Sequence, residues 1–477
     1  MQQSDNYAPL LEERSDFELE ISGEIPKELN GTLYRNGPNA QFSSPDIENH
    51  WFSGDGMLHA FSLEEGRASY QNRWVRTPKW KAERRAGRQL VGAFGRPLGE
   101  NAPKDSGTAN THVIWHAGRL LALEEAHLPT EILPGSLETI GYHNFNAAVS
   151  GPFTAHPKID PSNGELLFFG YAATGHLSPS IRYGAVDAAG LLKSTHIFDA
   201  PYTSMVHDFI VTQDYALFPI LPLTGSIERL KHGQPPFAWE RGKGAYVGLL
   251  RRDSPGSGIR WFRGEECYVF HVMNSWQEGD KIHAHVMQCA EPPFFPRTGT
   301  HDYNPERTQT KLCKWTFDLT SRSDQFSQTY LDDLFGEFPR IDDRNAGFAY
   351  RFGYYACQIQ DGRARSIAPA SRAGGQKHTS DYFNAIARID FATNERTLRV
   401  RPNGGGVSEP IFVPRSAGAD EGDGWLLVVA WDRRENCSEL LILDSSDISR
   451  HPIATVRLPR RVPFGFHGTW VARDPEC

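Results

Sequence analysis

The sequence predicts an all-β protein, most readily a closed β-propeller, and three observations carry that expectation. Its 477 residues include 44 Gly and 32 Pro, a density that long helices do not tolerate. Aromatic residues make up 12% of the chain, which suits pleated, half-buried surfaces. Short runs of strand-forming residues alternate with Gly, Asp, Asn and Pro turns over most of its length.

Residues 1–25 are polar and acidic and read as an extended lead-in, so that 26–477 form one propeller domain. Hairpin signatures then follow at roughly even spacing. Met57–Leu63 turns through Glu64–Gly66 into the run from Arg67 to Tyr70, and Val113–His116 turns through Ala117–Gly118 into Arg119–Leu123. Leu166–Tyr171 follows a Pro161–Gly164 turn, Ile386–Ile389 faces Thr397–Val400, and Trp425–Trp431 pairs with Glu439–Leu443. Helical periodicity is weak, with room for two or three turns at Lys79–Leu90 and around Ser226–Lys231. No βαβ alternation appears, which disfavours a doubly wound sheet. Four-strand groups over more than 400 residues suggest radial repetition, which limits free sheet edges. No letter motif repeats, so the blades cannot be counted; an array of β-sandwiches is the competing reading, and the lack of linkers counts against it.

The net charge of −8 and pI near 6.1 argue against nucleic acid as a partner. The one basic cluster, Lys79–Arg85 with Arg88, reads as a solvated surface. No apolar run reaches the roughly 18 residues that cross a bilayer. The first residues lack a basic and apolar leader, which points to the cytoplasm. Cys267, Cys289, Cys313, Cys357, Cys437 and Cys477 are scattered and read as reduced thiols. Phosphate-binding loops, the H-E-x-x-H zinc motif and the G-x-S-x-G elbow are absent. Gly54–Gly56 and Gly422–Gly424 imitate calcium-loop fragments but lack the remaining ligand spacing, so tight turns are expected.

Among 18 histidines, four share a context at or near apolar β-type runs: His156, His207, His271 and His467. They are spaced by 51, 64 and 196 residues. Propeller blades run about 40–50 residues, so these four could come from different blades and meet around one ion. A lone His in a strand is more often a hydrogen-bonded core residue, and spacing alone leaves both readings open. His207-Asp208 imitates a metal-binding pair, but strand neighbours point to opposite faces. A metal-bound imidazole needs its other N–H held, usually by a carboxylate or carbonyl. Glu125, Glu337 and Glu409 sit at apolar or Pro-bounded positions where a free charge is costly. His59, His116, His127 and His283 share no context and read as structural.

These segments together resemble the carotenoid cleavage oxygenase family. The matching text comprises Asn30–Pro38, Gly54–Met57, Ala109–Thr111, Ala155–Lys158, His207–Phe209, His271–Asn274 with Glu278, Glu337–Pro339, Glu409–Arg415 and His467–Trp470. The resemblance implies a seven-bladed β-propeller capped by loops and short helices. It implies one Fe(II) per chain held by His156, His207, His271 and His467, with Glu125, Glu337 and Glu409 behind the ligands and Thr111 near the vacant metal position. The implied reaction is O₂-dependent scission of a C=C bond of a hydrophobic olefin into two carbonyl products.

Substrate class divides the family. Thr77–Arg84, Phe218–Pro222 and Arg229–Lys231 look most like the lignostilbene and isoeugenol branch. That branch holds a phenolate with a Lys and a Tyr, where this chain has Glu124 and Phe94. Carotenoid-type members usually carry Trp at the first of these positions. A carboxylate cannot stabilise a phenolate, although it accepts a hydrogen bond from a neutral hydroxyl. The missing pair tilts the expectation toward apocarotenoid or carotenoid substrates, with phenylpropanoids or stilbenes as the alternative. Glu124 either sets specificity in the cavity or turns to solvent or a nearby Arg. Phe94, Trp276, Phe294 and Phe295 are candidate tunnel aromatics, and a lipophilic substrate is compatible with peripheral membrane contact. Two readings from other classes remain open at this point: a non-catalytic propeller scaffold, and a lactonase or glycosidase using the glutamates.

Overall fold

A computed structural model describes residues 5–42, 50–299, 304–360, 363–364, 382–401 and 405–473. The described residues are mostly strand, and they form seven antiparallel sheets of four or more strands. The chain clusters into two compact units, Met1–Ala155 with Thr397–Cys477, and His156–Arg396.

In the first unit, Gly31–Pro38, Gly56–Glu64 and Arg67–Trp74 form a meander. Gly468–Ala472, from the far end of the chain, pairs with Gly31–Pro38 and adds the strand beside it. A second sheet runs His112–His116, Arg119–Leu123, Thr130–Leu133, Glu138–Tyr142. A third is built on Gly424–Asp432, Cys437–Asp444 and Ala454–Arg457. Its first strand is broken in two, Gly406–Val407 and Ile411–Pro414, both pairing with Gly424–Asp432. The lead-in is ordered by pairing: Arg14–Asp16 edges the first sheet and Glu20–Gly23 the third. Leu33, Phe61, Ile411, Trp425, Leu427 and Leu440 belong to one buried cluster of this unit. Burying apolar surface at about 25 cal/mol per Å² is what holds such sheets face to face.

In the second unit the sheets begin with Lys158–Ile159, Ile210–Val211, Tyr268–Glu278 and Gly336–Arg340. Phe169, Tyr183, Phe209 and Phe218 pack in its core. The ladder shifts register around Val272 in Tyr268–Glu278, and between Glu337 and Arg340 in Gly336–Arg340. Such bulges re-aim side chains and are frequent beside active sites. The expected helices are short: α1 is Pro78–Ala86 and α2 is Ile227–Lys231.

Helix α1 corrects one expectation. Thr77 caps it by accepting the Trp80 N–H, and Gly87 ends it in the left-handed conformation. Lys81, Arg84, Arg85 and Arg88 are exposed, but Lys79 is 4% exposed. Its ammonium donates to Asp55 at 2.7 Å and to Glu83 at 3.1 Å. Glu83 also accepts the N–H groups of Leu90 and Val91. The spacing i to i+4 places Glu83 beside Lys79, and tertiary packing brings Asp55. Asp55 thus serves an ion pair inside Gly54–Gly56. Asp423, inside Gly422–Gly424, accepts from Arg415 at 2.7 Å. Cys267, Cys289, Cys313, Cys357 and Cys437 are buried free thiols, and Cys477 lies outside the described residues. Among the described residues no helix is long and apolar enough to cross a membrane.

Removing one partner of a buried ion pair strands the other charges, at a cost of about 3–5 kcal/mol. Lys79→Met leaves Asp55 and Glu83 facing each other, and its urea unfolding free energy should fall by about that amount. Lys81→Met, on the exposed face, should leave the curve within about 0.5 kcal/mol.

Candidate metal centre

Three of the four singled-out histidines lie in the second unit, each at or near the start of the first strand of a sheet. His156 lies two residues before Lys158–Ile159, and His207 three residues before Ile210–Val211. His271 lies inside Tyr268–Glu278, at the register shift. The Nε2 atoms of His156 and His207 stand 3.0 Å apart, and those of His207 and His271 3.3 Å apart. The three ring centroids are 4.6–5.1 Å from one another. With its Nε2 turned to the other imidazoles, His271 donates Nδ1–H to Glu337 Oε2 at 2.5 Å. Oε2 also accepts the Phe338 N–H at 3.0 Å. Phe338 has a positive φ of 59°, which belongs to the bulge that turns Glu337 inward. Burial pushes the Glu337 carboxyl up, against the opposing pull of the Phe338 N–H and His207, and a divalent ion held by the imidazoles would favour its ionised form.

His467 precedes Gly468–Ala472 in the first unit. Its Nδ1–H donates to Glu409 Oε1 at 2.8 Å, and Glu409 Oε2 accepts the Gly468 N–H at 2.9 Å. Glu409 occupies the break between Gly406–Val407 and Ile411–Pro414, ahead of Pro410. The buried Arg35 guanidinium supplies countercharge: desolvation lowers its pKa to about 10, while Glu409 pulls the other way. The backbone of His467 is held on both sides, donating N–H to Thr111 O at 3.2 Å and accepting from Asn36 N–H at 2.9 Å. The Asn36 side chain donates to Ala109 O and His112 O at 2.8 and 2.9 Å. A Cβ on neighbouring Gly37 would come within 2.5 Å of the Gly465 Cα, so only glycine permits this approach. The Asn30–Pro38 motif is thereby explained: it threads against the segment that carries His467.

One nitrogen from each of His156, His207, His271 and His467 lies within 4.8 Å of the others. Imidazole nitrogens that face one another this closely cannot all carry protons. Four neutral rings offer nitrogen lone pairs to a borderline divalent ion, and the two carboxylates hold Nδ1–H groups in the manner of metal-bound imidazoles. The residues present therefore fit a divalent transition metal.

The remaining expected residues fall as follows. Thr111 is half-buried, and its hydroxyl donates to Asn110 Oδ1 at 3.0 Å. Glu125 is half-buried just past Arg119–Leu123. Glu124 turns to neither solvent nor an arginine. It pairs with His127 Nδ1 and accepts the Ala126 N–H at 3.2 Å. Burial opposes charge on His127, but Glu124 and then Asp105 outweigh it and raise its pKa. Sequence context gave no sign of this pair, because His127 sits in a loop.

Phe94, 40% exposed, packs on His50, His50 on Phe52, and Phe52 on Phe466, the residue before His467. Trp276 packs on His283, His285 and Tyr350 within the second unit. Phe294 is 36% exposed with φ of 68°, and Phe295 is buried. His112 went unnoticed in the sequence. Its ring lies 5.2 Å from that of His467, and its Nδ1–H donates to Ala155 O at 2.9 Å.

The family model described as "RPE65: Retinal pigment epithelial membrane protein" matches residues 7–472. Isoeugenol monooxygenase of Pseudomonas nitroreducens is 40% identical over 96% of this chain and 95% of its own length. Lignostilbene dioxygenase of Pseudomonas brassicacearum superposes with a TM-score of 0.92 at 36% identity, covering 98% of both chains. Apocarotenoid oxygenase of Synechocystis superposes with a TM-score of 0.85 at 28% identity, again over 98% of both. The seven sheets are the blades of a seven-bladed β-propeller, and the β-sandwich array is set aside. The chain belongs to the RPE65, or carotenoid cleavage oxygenase, family, and is an oxidoreductase that incorporates O₂ into its substrate.

Proposed function

We propose that this protein is a non-haem Fe(II) dioxygenase that cleaves the C=C bond of an aryl olefin, of phenylpropanoid or stilbene type, into two carbonyl products. The observation that carries the reading is the four-imidazole cluster in a chain 40% identical to an isoeugenol monooxygenase. The tilt toward apocarotenoids rested on two positions, Glu124 and Phe94. Similarity over the whole chain favours the aryl-olefin alternative, at 36–40% identity against 28% for the apocarotenoid enzyme.

His156, His207, His271 and His467 would hold the ion through neutral ring nitrogens. A ferrous ion, when bound, supplies the O₂ redox chemistry that no side chain here can. Glu337 and Glu409 orient His271 and His467 and would offset the charge of a bound metal. Glu125 is assigned the corresponding task, and Thr111 is assigned a place beside the position that the four ligands would leave open. No acid or base beside the metal is required, which suits a pocket that is largely apolar with few polar groups setting orientation. The aromatic line Phe94–His50–Phe52–Phe466 suits a path for a flat aryl substrate toward His467. Phe294 and Phe295 are assigned to the same apolar lining. Trp276, packed against His283 and His285 of its own sheet and against Tyr350, is the weakest member of that set. Glu124 can accept a hydrogen bond from a neutral substrate hydroxyl while it stays paired with His127. Residues 26–477, with lead-in strands Arg14–Asp16 and Glu20–Gly23 added to two of the sheets, act as one catalytic domain, and the cytoplasm is the assigned location.

Purified protein loaded anaerobically with Fe(II) should bind one iron per chain. It should consume one O₂ per isoeugenol or 4-hydroxystilbene and release two carbonyl products. Uptake without products, or products from apocarotenals alone, would overturn the substrate assignment. Glu409→Ala should weaken Fe(II) binding by about 10–100-fold, read by chelator competition. Glu124→Lys should change the ratio of kcat/KM between 4-hydroxy- and 4-methoxystilbene by about 10-fold, the size of one charge-assisted hydrogen bond. An unchanged ratio removes Glu124 from the pocket.

A further inference from the structure

We infer that Asp208 is a positioning residue for the imidazole cluster: one buried carboxylate ties together the three histidine-bearing segments of the second unit. The inference rests on the four-histidine reading above. In the sequence, His207-Asp208 looks like a ligand pair. In the structure the two side chains serve different partners, and Asp208 is absent from the group whose ligand atoms converge.

Each hydrogen bond and ion pair made by the Asp208 carboxylate ends within two residues of a histidine. Oδ1 accepts the Phe209 N–H at 2.8 Å, two residues after His207. Oδ1 also takes the Lys158 ammonium at 2.7 Å, two residues after His156. Oδ2 accepts the Val272 N–H at 2.8 Å, one residue after His271. The last contact falls where the ladder of Tyr268–Glu278 shifts register, on both sides of Val272. The bulge that aims His271 is therefore closed by a side chain from the segment that leads into Ile210–Val211.

Asp208 is 4% exposed, and a carboxylate so buried is costly unless charge-assisted bonds satisfy it. Three such bonds do so, and all three converge on the segments whose relative position sets the Nε2 separations of 3.0 and 3.3 Å. A carboxylate committed in this way is no ligand. Its consequence is preorganisation: the rings need not be gathered when a metal binds.

The test uses metal-free full-length protein titrated with Co(II), followed by visible absorption, with thermal unfolding measured in parallel. Asp208→Asn sets an NH₂ group against one of the three donors. It should weaken Co(II) binding by about 10–100-fold and alter the d–d spectrum at saturation. Lys158→Met, which cuts only the tie to the His156 segment, should weaken it by about 3–10-fold and covers the case in which Asp208→Asn does not fold. Asp390→Asn is the control. It disturbs an equally buried carboxylate, held by Arg351 at 2.7 and 2.9 Å, with no histidine partner. It should lower the melting temperature and leave the spectrum unchanged. If wild-type protein takes up no Co(II), the four-histidine reading fails. If wild type binds while folded Asp208→Asn or Lys158→Met match it in affinity and spectrum, the role of Asp208 fails alone.

Discussion

The arrangement turns on a buried carboxylate accepting the Nδ1–H of an imidazole. Glu409 holds His467 in this way in one compact unit, and Glu337 holds His271 in the other. Each pairing fixes three things together: which ring nitrogen carries the proton, which way the ring faces, and where negative charge sits. A ring held only by packing could flip or change tautomer, and its lone pair would then point elsewhere. The carboxylates are costly to bury, and each recovers part of that cost from a backbone N–H, of Gly468 or Phe338.

Backbone irregularity is what places these groups. His271 and Glu337 lie at register shifts, and Glu409 in a broken strand. His156, His207, His467 and Thr111 stand just ahead of a strand. A regular ladder would point alternate residues into the packed faces between sheets. Interrupting the first strand of a sheet frees a side chain to leave that alternation, and it also strands backbone N–H groups. Asp208 and the two glutamates accept such N–H groups, and Asn36 donates to the carbonyls of Ala109 and His112, so buried polar residues and strand breaks come as matched sets.

The substrate side departs from what single positions suggested. Glu124 draws the eye as an acid where a related branch has a base. Its carboxylate, however, is engaged by His127, whose pKa Glu124 and then Asp105 raise against the cost of burial. One substituted position is therefore weak evidence about substrate, because a nearby loop can supply the compensating charge. Similarity spread over 462 aligned residues averages over many such local exchanges and is the better guide.

The sheet pattern was legible from period-two alternation and turn residues, which are local properties: the hairpins at Met57, Val113, Leu166 and Trp425 stand where the alternation put them. The four histidines were legible as candidates because each sits at or near an apolar run. Blade number was legible only through the family resemblance; the burial of Lys79, the Glu124–His127 pair and the work of Asn36, His112 and Asp208 were not legible. Each of these depends on partners distant in the chain or on loop geometry, and an ion pair between Lys79 and Asp55, 24 residues away, leaves no periodic trace. Sequence alone determined the secondary structure, the strand ends that carry the imidazoles, and the family text. Tertiary structure alone decided which nitrogen faces which. That choice is made by hydrogen bonds between residues 58 to 66 positions apart, which only the folded chain brings within reach.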